Sequence, residues 1–179
     1  MTDPFALIGV PRKLDLEEAD IDRLLLEASQ IHHPDNGGDQ DLFLKIRLAG
    51  EILNSPAKRV RAAIECEGLS FDERGEIPDK VMEHFSYVAS VLQKVDSFVS
   101  ERSKALSILG KAVLDVRVPV LKADLEEVIS NLNELKSAMV ARFKSFDERG
   151  WNECEIEMNE VARGLIFLTK WAAQLREAN

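Results

Sequence analysis

The stretch that decides the fold is "QIHHPDNGGDQ", from Gln30 to Gln40. A residue before proline is pushed out of the helical region, and the glycines Gly37 and Gly38 supply free backbone angles. The preceding segment, residues 14–33, repeats apolar side chains at three- and four-residue intervals, as an amphipathic helix does. We therefore predict a polar loop at the end of a helix.

The segment after the loop resumes the helical pattern. "DQDLFLKIRLAGEILN", residues 39–54, carries an apolar stripe, and Asp39 is its predicted N-cap. Ser55 and Pro56 then begin a shorter third helix as N-cap and first helical residue. Because the connection at the loop is short, we predict that its two helices are antiparallel, with the opening "FALIGV" folded over them.

The rest of the chain carries three longer apolar patterns. We interpret the polar, turn-rich segment 67–78 as a linker. The patterns run from Phe85 to Leu106, from Leu125 to Phe143 and from Trp151 to Leu175, and Pro119 should break or kink the chain between the first two. With no convincing strand pattern, we predict an all-α protein whose C-terminal part is a three-helix bundle of long helices.

Charge and composition exclude several classes of function. The net charge is −9, and residues 1–76 carry 16 acids against 9 bases, so non-specific nucleic-acid binding is not expected. Cys66 and Cys154 lie far apart, which fits neither a disulfide framework nor a zinc ribbon. No segment approaches the roughly 20 apolar residues of a membrane span, and "MTDPFALIGV" does not resemble a signal peptide. We expect a soluble, cytoplasmic protein.

The loop itself allows three interpretations from its residues alone. A metal site would use His32, His33, Asp35 and Asp39, but neighbouring histidines rarely share an ion and the spacing is not that of an EF-hand. A catalytic His33–Asp35 dyad lacks a nucleophile. A capped turn needs only that Pro34 stiffens the loop and Asp35 caps it. We expect no metal, no cofactor and no catalytic residue.

The order of the elements resembles a J-domain. The resemblance covers residues 3–65 and rests on His33-Pro34-Asp35 between two helices, on the opening "FALIGV" and on "EILNSPAKR" at the third helix. It implies a J-domain over residues 1–66 whose His33, Pro34 and Asp35 stimulate ATP hydrolysis by a DnaK- or HscA-type chaperone. The chain would then not itself be an enzyme. We assign the chaperone-binding surface to the basic residues Arg23, Lys45, Arg47, Lys58 and Arg59.

One feature departs from the J-domain pattern. The helix before the loop is usually basic in that family, whereas residues 17–32 contain five acids and only Arg23 as a base. Long-range attraction to an acidic chaperone surface would be weak or unfavourable. The sequence therefore predicts a slow or weak encounter unless the chaperone surface is also altered.

A J-domain followed by a helical bundle resembles the HscB-type co-chaperones of iron–sulfur cluster assembly. "VLQKVD" (residues 91–96), "GWNE" (150–153) and "GLIFLTKW" (164–171) are similar to segments of that family. The resemblance implies that residues 79–179 bind an iron–sulfur scaffold protein. Because successive helical residues lie about 100° apart, the apolar run 165–168 should leave one side chain facing outward. We predict a client-binding patch of Val91, Leu92, Val95, Asp96 and Phe167. The alternative is a divergent J-domain protein with another client or an oligomerisation bundle.

Overall fold

The computed structural model describes residues 2–178, and every regular element in that range is helical. This observation confirms the predicted all-α fold class. Two 3₁₀ turns, Pro34–Asn36 and Trp151–Cys154, interrupt the α-helices. The α-helices are α1 (Pro4–Ile8), α2 (Glu18–Ile31), α3 (Gln40–Asn54), α4 (Pro56–Cys66), α5 (Asp79–Met82), α6 (Phe85–Lys104), α7 (Ile108–Asp115), α8 (Val118–Val140), α9 (Phe143–Arg149) and α10 (Glu155–Glu177).

The chain forms two compact units, and each contains two stretches of sequence. The first unit comprises the chain up to Glu76 together with Met139–Leu165. The second comprises Ile77–Ala138 and the chain from Ile166 onward. The predicted domains 1–66 and 79–179 stay a prediction, because compactness alone does not show which segment folds independently.

In the first unit, α2 and α3 form the predicted antiparallel hairpin. Asn54, at the end of α3, donates a hydrogen bond to the Asp22 carboxylate near the start of α2, at 2.9 Å. Further along the pair, a Cβ atom on Gly50 would lie 2.4 Å from the side chain of Leu25, so glycine permits this close approach. Fully buried side chains of the core include Phe5, Leu14, Ile21, Ile46 and Leu53.

Asp147 of α9 anchors the segment that precedes α2. Its carboxylate accepts hydrogen bonds from the backbone N–H groups of Leu14, at 2.9 Å, and Asp15, at 2.8 Å. It also accepts one from the indole Nε1 of Trp151, at 2.8 Å. Hydrogen bonds to a charged acceptor are stronger than neutral ones, so this carboxylate ties two distant parts of the first unit together.

The predicted linker makes extensive hydrogen bonds with α10 within the first unit. The side chain of Asn159 accepts from the backbone N–H of Asp72, at 2.8 Å, and donates to the carbonyl of Ser70, at 3.2 Å. Arg163 donates to the carbonyls of Glu76, at 2.8 Å, and Asp72, at 3.0 Å. The segment therefore has defined positions for its backbone polar groups.

From α7 to α9 the structure differs in three details from the sequence prediction. Pro119 does not break the chain, because it lies in the first turn of α8, where its missing N–H has no intrahelical partner to lose. The short helix α7 was not predicted, and it lies between two of the three long helices. The predicted second helix also ends earlier, at Val140, and Phe143 begins α9.

None of the helices in residues 2–178 has both the length and the apolar composition needed to cross a membrane.

Candidate functional site

The loop between α2 and α3 is closed by its own backbone hydrogen bonds. The carbonyl of His33 accepts from the N–H groups of Asn36, at 2.9 Å, and Gly38, at 3.0 Å. Gly37 has a φ of +80°, a left-handed conformation that favours glycine. Pro34 begins the 3₁₀ turn with its φ restricted by the ring. The loop is thus a defined turn at the tip of the hairpin.

The side chain of His33 is restrained on two sides. Its Nδ1 atom accepts a hydrogen bond from the backbone N–H of Asp35, at 3.2 Å. Its ring meets the ring of Phe43 edge to face, with centroids 5.1 Å apart. The Asp35 side chain is 89% exposed, whereas that of His33 is 42% exposed. The loop therefore presents an exposed carboxylate whose Oδ2 lies 3.6 Å from Nδ1 of a partly held imidazole.

The two ends of the loop are fastened to the adjoining helices. The side-chain amide of Asn36 donates to the carbonyl of Gln30, at 3.0 Å. Asp39 accepts from the N–H of Leu42, at 2.8 Å, which confirms its predicted role as N-cap of α3. The capping role considered for Asp35 is wrong, because Asp39 caps α3 and the His33 side chain caps the 3₁₀ turn.

Arg59 is misplaced in the predicted chaperone-binding surface. It is only 3% exposed, and its guanidinium donates to the carbonyls of Leu53, at 2.6 Å, and Leu14, at 2.7 Å. Burial lowers the pKa of this guanidinium from its ordinary value. Such a side chain offers no surface to another protein, and its role is to satisfy backbone carbonyls inside the first unit.

The other predicted cations are exposed, but Arg23 is already paired. Its guanidinium lies 3.1 Å from the Asp20 carboxylate and 3.3 Å from that of Glu27. The exposed face of α2 is consequently acidic, in line with the sequence. Exposed positive charge is carried instead by Lys45 and Arg47 of α3 and by Lys58 of α4.

The residues predicted as a client patch occupy three different environments. Val91 is fully buried and Val95 is 7% exposed, because both face the core from α6. The prediction that these two residues supply contact surface is therefore wrong. Leu92 and Phe167 are half-buried, and Asp96 is exposed. Within the apolar run 165–168, the most exposed side chain is Ile166, at 38%.

Phe85 is a further candidate, noted from the sequence only as the first residue of an apolar pattern. It is 50% exposed, and its ring lies 6.0 Å from that of Trp171. The Trp171 ring in turn lies 5.9 Å from the ring of Phe167. Phe85 and Leu92 are seven residues apart, so they share a face of α6. This seven-residue spacing was the sequence signal that could have predicted an aromatic surface beside Leu92 and Phe167.

No group of three His, Cys, Asp or Glu side chains within residues 2–178 is arranged to hold a metal ion.

Comparison with known proteins agrees with this architecture. No family model and no curated protein matches the sequence. Among solved structures, the chain is similar to the chaperone HscB from Vibrio cholerae, with a TM-score of 0.68 and 15% sequence identity. The similarity covers 98% of this chain and 96% of that one. The predicted resemblance is therefore confirmed at the level of structure: this chain has an HscB-like fold.

Proposed function

We propose that the chain is a co-chaperone that stimulates ATP hydrolysis by a DnaK- or HscA-type chaperone. The activating residues are His33, Pro34 and Asp35. The observation that carries the proposal is the defined, exposed loop at the tip of the α2–α3 hairpin in a chain with an HscB-like fold. In this role the chain performs no chemistry and acts within the cytoplasm.

The physical basis of the activation is preferential binding. A loop changes the conformational equilibrium of an ATPase only if it binds one conformation better than the other. The backbone hydrogen bonds of His33 and the contact with Phe43 order the loop before any partner is met. A pre-ordered loop loses little conformational entropy on binding, so more of its contact energy is available for that discrimination.

The distribution of charge on the chain limits the rate at which it associates with the chaperone. Arg59 is buried, which leaves Lys45, Arg47 and Lys58 as the proposed chaperone-binding cations. The acidic face of α2 opposes attraction to an acidic partner. We therefore expect slow association that does not become slower as salt is added, since salt weakens only steering by opposite charges.

The second part of the proposal is delivery of an iron–sulfur cluster scaffold protein. We assign the client surface to Leu92, Asp96 and Phe167, with Phe85 added because its exposed ring adjoins the Trp171–Phe167 pair. Val91 and Val95 support this surface from inside the second unit. Exposed aromatic and aliphatic groups with an acid at their border are typical of a protein contact.

The test is ATP turnover by DnaK-type chaperones of the same organism. We expect the wild-type chain to stimulate hydrolysis and His33→Gln to return the rate to its basal value. His32→Gln is the matched control, because it makes the same change at the neighbouring histidine outside the motif. Stimulation that survives in His33→Gln, or no stimulation of any chaperone, would contradict the proposed activity.

Adding the iron–sulfur scaffold protein tests the client. We expect scaffold and wild-type chain together to stimulate more than the sum of their separate effects. Phe167→Ser should remove this synergy while leaving stimulation without scaffold intact. Stimulation with no scaffold effect would retain the chaperone role and exclude this client.

A further inference from the structure

Several of the most exposed large apolar side chains in the described part of the chain lie around α7, in the second unit. None of the residues of α7 is buried. Leu106 is 102% exposed, Ile108 89% and Leu109 77%. We call this region, with its apolar neighbours on α6 and α8, the α7 surface; it comprises Val99, Leu106, Ile108, Leu109, Val113, Val116 and Val120.

The apolar side chains of α7 share one side of the helix. At about 100° per residue, Ile108, Leu109 and Val113 fall within less than half a turn, and Val116 continues the same stripe. On the same wheel Asp115 lies beside Ile108, at one edge of the stripe, where it pairs with Arg102, and Lys111 lies beyond it. The stripe itself is therefore apolar, with its charged neighbours at one edge.

The size of the α7 surface fits a stable protein interface. Its side chains leave on the order of 800 Å² uncovered, which matches the roughly 800 Å² that each partner buries in a standard interface. Monomeric proteins rarely expose apolar patches larger than a few hundred Å². The surface thus has about the area that one partner of a stable dimer buries.

Charges at the border of the α7 surface are mostly balanced within one chain. Arg102 pairs with Asp115, and Arg117 pairs with Glu101, each with a nitrogen–oxygen distance of 2.6 Å. Residues 99–120 contain four basic and two acidic side chains, in a chain whose net charge is −9. A second copy can approach here with less repulsion than elsewhere on this acidic protein.

We propose that the α7 surface is a self-association site, through which two copies form a symmetric dimer. In a two-fold contact the same patch serves both partners, so apolar side chains meet apolar side chains and the ion pairs remain at the rim. An anionic bilayer is a poorer occupant, because α7 is short and the chain as a whole is acidic. The proposal rests on the second unit and is independent of the chaperone role.

The test is sedimentation of the full chain over a concentration series, at low and high salt. We expect a monomer–dimer equilibrium with a micromolar dissociation constant. Added salt should strengthen it, because salt screens the repulsion between two chains of net charge −9. Ile108→Glu should raise the dissociation constant at least roughly tenfold, since it buries two charges in an apolar contact.

Ile156→Glu is the matched control. Ile156 is 84% exposed near the start of α10, as Ile108 is at the start of α7, so the substitution is the same at a site outside the α7 surface. Leu109→Gln, which removes apolar area without adding charge, should weaken the dimer less than Ile108→Glu. Circular dichroism should show unchanged helicity in all three variants.

A wild-type chain that stays monomeric at all concentrations would overturn the proposal, as would equal effects of Ile108→Glu and Ile156→Glu. A dimer that dissociates as salt is added would show a charge-driven contact and would overturn the proposed apolar one. A monomer that binds anionic vesicles through Ile108 would identify a lipid surface as the occupant and also refute the dimer.

Discussion

The His33–Asp39 loop and the α7 surface both lie between long helices, and both face solvent, but they are built in opposite ways. The loop is polar, and its backbone is ordered by internal hydrogen bonds. The α7 surface is apolar and has no buried side chain within its helix. A polar, pre-ordered loop is stable alone and suits a transient contact, whereas a large apolar surface gains free energy by being covered.

The interactions that hold the two regions in place also differ, being buried in one and exposed in the other. The framework below the loop depends on Arg59, whose guanidinium serves backbone carbonyls in the interior. The helix α7 is held by ion pairs at the surface, including that of Arg102 with Asp115. Because interior polar groups have no water to replace a lost partner, we expect substitutions in the first region to have larger effects.

The largest effect should come from Arg59→Met. The change leaves the carbonyls of Leu14 and Leu53 without their donor, and we expect it to lower the free energy of unfolding by about 3 kcal/mol. Urea denaturation would measure it. Arg23→Met serves as the control, because the exposed Arg23 has water available at its partners and its removal should change stability little. Equal stability of the two variants would show that the buried hydrogen bonds of Arg59 contribute no more than the exposed ion pairs of Arg23.

An intermediate effect is expected from Gly38→Ala. A Cβ atom there would lie 2.3 Å from the backbone carbonyl group of His32, so the loop must shift. We expect a loss of about 2 kcal/mol in unfolding free energy, together with a large loss of chaperone stimulation.

Gly37→Ala is the neighbouring control for the loop. Its Cβ would meet no atom within 4 Å, but φ at this residue is +80°, so we expect about 1 kcal/mol of strain. Stimulation by Gly37→Ala should be largely kept. If Gly38→Ala kept full stimulation as well, the close approach to His32 would not be needed to position the loop.

The smallest effect is expected at the Arg102–Asp115 pair. The hydrogen bond from Arg102 holds the pKa of the Asp115 carboxyl below its ordinary value. A carboxyl with a lowered pKa in the folded state stabilises that state above the unfolded pKa of about 3.9. This contribution is lost as the pH falls through the folded pKa.

An NMR titration of Asp115 would measure this shift. In Arg102→Gln the pKa of Asp115 should rise toward the ordinary value. Lys111→Gln is the comparison variant, since Lys111 acts on Asp115 only through its charge and should produce a smaller rise. A pKa that stays unchanged in Arg102→Gln would show that the ion pair contributes nothing at the α7 surface.

The loop could be predicted from sequence because its structure is local. Pro34, the adjoining glycines and the cap Asp39 act over a few residues, and each acts where the pattern placed it. The buried position of Arg59 could not be predicted in this way. Its partners include the carbonyl of Leu14, more than forty residues earlier in the chain, and only the folded first unit brings them together.

The second unit shows a different limit of prediction from the sequence. Pro119 was interpreted as a break or kink, although proline is compatible with the first turn of a helix, and the short helix α7 before it was missed. Apolar periodicity put the half-exposed Phe85 and the buried Val95 in one stripe, and the buried Val91 and Val95 were both predicted as contact surface. Periodicity indicates which residues can face a neighbour and does not show where the neighbouring helix ends.

The hydrogen bond between His33 and Asp35 also determines which of the two residues can donate to a partner and which can accept. In the uncharged form of the ring, Nδ1 accepts the N–H of Asp35 and the ring hydrogen lies on Nε2. His33 is then a hydrogen-bond donor to a partner, and the exposed Asp35 carboxylate is an acceptor. A protein that recognises both residues must place an acceptor opposite the first and a donor opposite the second, in that order along the loop.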